Sequence, residues 1–231
     1  MDFFQLNNSD EIKKQKTNKI NNEIIRISSN ELFIKEFNLD PSMFDSKGDK
    51  TSGWSIGKKR GPPKQLLDYD PPLGWIGYGL NVTGKYDNGD NTWLGNKNVE
   101  GEWYIAYHGT GGSNNIIKKI IEDGFKTGLV QIKKDVENEN PLSNKEFKYC
   151  GEGVFCTNSI DYAEAYSAWK GGIEFEGKTY KIVFMCRVNP YKVRFTNLSY
   201  EWIVSGDKID SSKSRRYDDE IRPYRILLKE F

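Results

Sequence analysis

From Trp103 to Phe231, β-prone runs alternate with two short helical patterns, and that succession limits the fold more than any single motif does. Trp103-Tyr104-Ile105-Ala106-Tyr107-His108 has the aromatic and β-branched content of a strand, and Gly109-Thr110-Gly111-Gly112-Ser113 is expected to break it. In Asn114 to Asp123, Ile116, Ile117, Ile120 and Ile121 share one helical face, and Gly124 stops the helix. Residues 126–152 are charged and turn-rich, as in a long loop. Gly153 to Thr157 reads as a strand leading into a helix capped by Asn158 or Ser159. Tyr162, Ala165, Tyr166 and Trp169 line that helix at i, i+3, i+4 and i+7. Tyr180 to Val188, Tyr200 to Val204 and Tyr224 to Phe231 read as three further strands, so the class is α+β, without repeats.

The preceding residues divide in two. Residues 1–60 read as a helical or flexible N-terminal extension, with Ile20, Ile24, Ile25, Leu32, Phe33 and Ile34 at partly helical spacing. Its polar break at Ser46 to Gly53 continues into Lys58-Lys59-Arg60-Gly61-Pro62-Pro63-Lys64, which reads as a solvated linker in preference to a nucleic-acid or import signal. Residues 61–102 form an aromatic, glycine-rich β and turn segment expected to pack on the core that follows at 103–231. Tyr86 to Trp93 has the oxygen donors of a calcium loop but not its closing glutamate, so Asn88-Gly89 marks a plain turn.

Composition narrows the chemistry. Lys plus Arg number 34 against 33 acidic residues, so any nucleic-acid or anionic partner must be met by a local patch. No apolar run reaches the ~20 residues of a membrane span, and the N-terminus lacks a signal-peptide core, so a cytoplasmic or nuclear protein with no membrane partner is expected. Cys150, Cys156 and Cys186 lack metal spacing and read as buried or free thiols. The single histidine, His108, excludes every mechanism built on several.

By itself Tyr107-His108-Gly109-Thr110 is a weak signal, since a lone histidine at a strand end is commonly structural. The whole succession, from His108-Gly109-Thr110 through Gly151-Glu152-Gly153-Val154-Phe155-Cys156 and Tyr200-Glu201-Trp202-Ile203-Val204 to the last strand, resembles the catalytic domain of poly(ADP-ribose) polymerases and tankyrases over about residues 103–231. The resemblance implies an ADP-ribosyltransferase-like split β-sheet core behind a mixed helical and β-turn extension, with NAD as substrate and no metal. It implies that His108 bonds a ribose hydroxyl, that the Gly109 backbone grips the nicotinamide carboxamide beside Thr110, and that Tyr166 stacks on the ring. Tyr162, on the same helix, joins this cofactor-binding set. Phe155 stands where the family has its middle tyrosine and Ala163 where it has a helper serine, so a nicotinamide hydrogen bond is either missing or supplied by Thr157 or Ser159. Glu201 opens its strand as the family's catalytic glutamate does, with Asp218, Asp219 and Glu220 as rivals. A carboxylate there suits the oxocarbenium-like ribosyl cation left when nicotinamide departs.

The loop to Glu152 falls where the family lines its NAD pocket, but Lys133, Lys134 and Lys148 read as solvated loop lysines in preference to pyrophosphate ligands. Ser211 to Arg216, near where an acceptor would dock, reads as an ordinary mobile loop in preference to a binding run. The implied activity is mono-ADP-ribosylation of a macromolecule, with protein the expected acceptor. The alternatives are a nucleic-acid acceptor, and a weak or inactive domain that binds NAD or ADP-ribose.

Overall fold

The computed structural model describes residues 31–110, 114–125, 153–195, 200–204 and 217–231. The chain forms two compact units, residues 1–40 and 41–231. In the described part of the first, residues 31–36 are helical (α1), and the rings of Phe33 and Phe37, one turn apart, stack at 4.5 Å.

The second unit is α+β, built on one large antiparallel sheet. In chain order its strands are β1 (Lys59–Arg60), β2 (Leu67–Asp68), β3 (Ile76–Gly79), β4 (Tyr104–Thr110), β5 (Val154–Thr157), β6 (Ile173–Phe175), β7 (Lys178–Val188), β8 (Val193–Phe195), β9 (Glu201–Val204) and β10 (Ile221–Glu230). Its helices are α2 (Asn114–Asp123) and α3 (Ile160–Trp169). β1 and β2 form a separate hairpin, while the main sheet runs β3-β10-β7-β4-β5-β9-β8, with β6 on the end of β7. No helix among the described residues is long and apolar enough to cross a membrane.

β7 is the centre because Ile182 to Val188 is buried without a break, as a strand covered on both faces must be. Alternation then sorts the faces. Tyr107, Val183 and Met185 share a core with Trp54, Trp75, Leu227 and, from α3, Ile160 and Ala163. His108 and Phe184, paired across β4 and β7, face the other way, where Phe125 touches both rings. Phe125 comes there directly after α2, which buries Ile117, Ile120 and Ile121 but leaves Ile116, expected on the same face, exposed. Gly124, at φ +73°, turns the chain out of the helix.

Two local expectations change, and one open choice is resolved. β4 does not break at Gly109 but runs through it to Thr110. Glycine is needed there because a side chain would run into the carbonyl of Ala163, so α3 lies directly on the strand. The basic run has solvated lysines, as expected, but is not a linker: Lys59 and Arg60 form a hairpin strand, and Gly61 and Pro62 are buried, Gly61 against the Tyr104 ring. Ser159, not Asn158, caps α3, accepting from the Tyr162 N–H. The 126–152 loop, Cys150 and the Ser211 to Arg216 run lie outside the described residues.

Candidate active site

The sheet forks between β4 and β5. These strands share one register pair, Tyr107 with Thr157, whereas β5 and β9 pair along their whole length. Continuing the antiparallel ladder would set His108 opposite Cys156 and Gly109 opposite Phe155. Instead the His108 imidazole spans the gap, its Nδ1 lying 2.7 Å from the Phe155 carbonyl.

That contact fixes the tautomer. A carbonyl oxygen only accepts, so Nδ1 carries the proton and Nε2 presents a lone pair. Burial, with Phe125 edge-on at 4.8 Å, pushes the His108 pKa below the ordinary histidine value, while the bond to the carbonyl opposes the shift only in part. The ring is therefore neutral at pH 7, with an acceptor at Nε2.

At the vertex, Tyr107, Thr157 and Glu201 form one cross-strand row, so their side chains share the face covered by α3. Two strand spacings, about 10 Å, separate the Tyr107 and Glu201 backbones. Glu201 is 3 % exposed, and its Oε2 accepts a hydrogen bond from the Tyr162 hydroxyl of α3 at 3.0 Å. Burial, then the hydrogen bond to Glu201, raises the Tyr162 pKa to about 12, so this phenol is a neutral donor at physiological pH. Tyr162 is thus the carboxylate's partner, a role that sequence spacing did not reveal.

The remaining residues take less uniform places. Thr157 is buried and its Oγ1 accepts from the Ser159 N–H, while Ser159 Oγ accepts from the Tyr162 N–H, so both oxygens hold the strand-to-helix turn. Thr110 is buried at the end of β4. The Phe155 ring packs on Ile203 and the Tyr166 ring meets Trp169, so the rings at the family's two tyrosine positions have different neighbours. The face of α3 carrying Tyr162, Tyr166 and Trp169 points away from the core, which takes Ile160, Ala163 and Ser167 instead. Ala163, in the place of the helper serine, presses on Gly109. Of the rival carboxylates, Asp218 and Asp219 sit in the turn before β10, and Glu220 is buried there.

The position of α3 depends on a residue from the aromatic segment. Asp70 Oδ2 accepts the Ile160 N–H at 2.8 Å, capping the helix, and the Asp70 carbonyl accepts the Tyr107 hydroxyl. A second bond ties the helix to β7, from the Ile182 N–H to Ser167 Oγ at 2.9 Å. The Tyr162 hydroxyl is set against Glu201 from a helix held at both ends. The chain matches no protein-family model and no curated protein, so the functional reading rests on these residues.

Proposed function

We propose that the chain is an NAD-dependent ADP-ribosyltransferase that acts on a macromolecular acceptor. The observation that carries this reading is the fork: a neutral imidazole with an acceptor nitrogen just inside the gap, and at its vertex a buried carboxylate held by a phenol. His108 lies on the Phe125 side of the sheet and Glu201 on the α3 side, so in this reading a polyhydroxylated ligand that develops positive charge meets both across the gap between β4 and β5.

In this reading Nε2 of His108 accepts a ribose hydroxyl, while the Tyr166 ring, which the resemblance gives to nicotinamide, is turned outward onto Trp169. The bond from nicotinamide nitrogen to the ribose anomeric carbon breaks, and its electron pair leaves with the ring. The Glu201 carboxylate stabilises the resulting oxocarbenium-like sugar in a site poor in water. The acceptor's nucleophile then bonds to the anomeric carbon, and Glu201 takes its proton. Removing such a stabilising group commonly costs ~10²–10³ in rate.

A second reading has its own support. Phe155 lacks a hydroxyl, and Ala163 puts a methyl where a serine would hold the carboxamide, which favours a domain that binds NAD or ADP-ribose and turns it over slowly. Incubation of labelled NAD with cell lysate separates the two. Transfer of label by the wild type, lost in Glu201→Gln and weakened in His108→Ala, supports the transferase; NAD binding without transfer supports the second reading.

A further inference from the structure

All six tryptophans are described, and five serve the core, none of them more than 9 % exposed; Trp169 is 74 % exposed. The fold does not require it there, since α3 is anchored by Ile160, Ala163 and Ser167 on its other side. The Lys170 ammonium stands 4.2 Å from the Trp169 ring centroid and 5.8 Å from that of Tyr166, and these two rings meet edge to face. Tyr166, Tyr162 and Tyr200, between 38 % and 44 % exposed, continue the aromatic surface to Glu201, with Tyr162 on Tyr200 at 4.7 Å.

We propose that this strip is a subsite for the bases of a single-stranded nucleic acid, with Lys170 meeting a phosphate. Ring faces stack on any base, and a cation beside them meets the backbone, the two elements that single-strand binding needs. Tyr162 and Trp169 are seven residues apart on a helix rising ~1.5 Å per residue, so they span roughly 10 Å, about three bases at the ~3.4 Å spacing of one strand. An extended peptide is less well served, because the hydrogen-bonding groups of a helix backbone are turned to one another and offer no ladder. With a net charge of +1 on the chain, the electrostatic part is local and small. As the place where an acceptor strand lies, the strip rests on the ADP-ribosyl-transfer reading; as a binding surface it can be measured without NAD.

The test is titration of the full chain with a short oligothymidylate, followed by tryptophan fluorescence. Saturable quenching is expected, absent in Trp169→Ala, and weakened several-fold in Lys170→Gln with a salt slope lower by about one. Both side chains are exposed at the surface, so the variants should melt at the wild-type temperature. No quenching, equal quenching in Trp169→Ala, equal quenching by polyglutamate, or quenching by AMP but not by the oligomer would each overturn the proposal. A chain that binds the oligomer but leaves NAD intact would sink the transferase reading alone.

Discussion

The hydroxyl of Tyr162 donates to Oε2 of Glu201 at 3.0 Å, joining residues 39 apart in sequence and on different elements, a helix and a strand. A hydrogen bond to a charged group contributes ~1.5–3 kcal/mol, and the partial exposure of Tyr162 puts this one at the low end. In Tyr162→Phe, the kcat for nicotinamide release should therefore fall about tenfold, while KM for NAD changes less than about threefold, because the bond orients a group needed chiefly in the transition state. Steady-state kinetics check this. A rise in KM with kcat unchanged would mean that Tyr162 only binds substrate.

His108 is the sole histidine, so proton NMR reads it without interference. Its resonance should titrate below the ordinary ~6.5, because burial disfavours the imidazolium. The sign of the linkage follows. Between the folded pKa and ~6.5 the unfolded chain binds the proton and the folded chain does not, so stability rises with pH across that window. The contribution is complete above ~6.5 and is lost as pH falls toward the folded value. Denaturant titrations of wild type and His108→Gln should diverge only in that slope.

The Asp70 carboxylate caps α3 from 90 residues away, and Trp54 and Trp75 join the core beneath that helix. Asp70→Ala should cost about 1 kcal/mol, and Asp70→Asn, which keeps an acceptor, less. A chain beginning at residue 103 also loses β3 from the edge of β10 and should not fold cooperatively, whereas one beginning at residue 41 should. Thermal melts followed by near-ultraviolet circular dichroism decide between them.

Arg222, 2 % exposed, lies among the rings of Tyr86, Trp93 and Trp103 at 4.2 to 4.8 Å and forks onto both oxygens of Asp87 at 2.6 and 2.8 Å. The hydrogen bond from Arg222 holds the Asp87 pKa below its usual value. Its stabilisation is present above the unfolded ~3.9 and is lost as pH falls through the folded value. Asp87 is 44 % exposed, so Asp87→Asn should cost at most about 1 kcal/mol and remove that acid dependence. Arg222→Met should cost more, roughly 2–3 kcal/mol, since it removes a buried donor and its ring contacts together. Urea unfolding at neutral and acid pH measures both.

These cases mark where sequence reading succeeds. α2 was legible because four isoleucines and a glycine stop encode a helix locally, and the strand-to-cap passage from Val154 to Ser159 likewise. The bond from Tyr162 to Glu201, the Asp70 cap and the seat of Arg222 on Asp87 were not legible, since they span 39, 90 and 135 residues and no periodicity records them. The short strands β6 and β8 are three residues each, too brief to show an alternation. Gly109 misled because a glycine ordinarily ends a strand, yet here the press of Ala163 demands one inside it. The aromatic stripe of α3 was visible as spacing, but its outward orientation was not, because the buried face consists of one isoleucine and two small residues.

In the proposed reaction the buried Glu201 carboxylate at the fork drives cleavage of the nicotinamide–ribose bond of NAD. The most direct measurement is nicotinamide release from NAD by the purified chain, wild type beside Glu201→Gln, with NAD binding followed in both. Release by the wild type is expected, with a loss of ~10²–10³ in rate in the variant and binding retained. Equal release by the two proteins, or no release by a wild type that is folded and binds NAD, would contradict it.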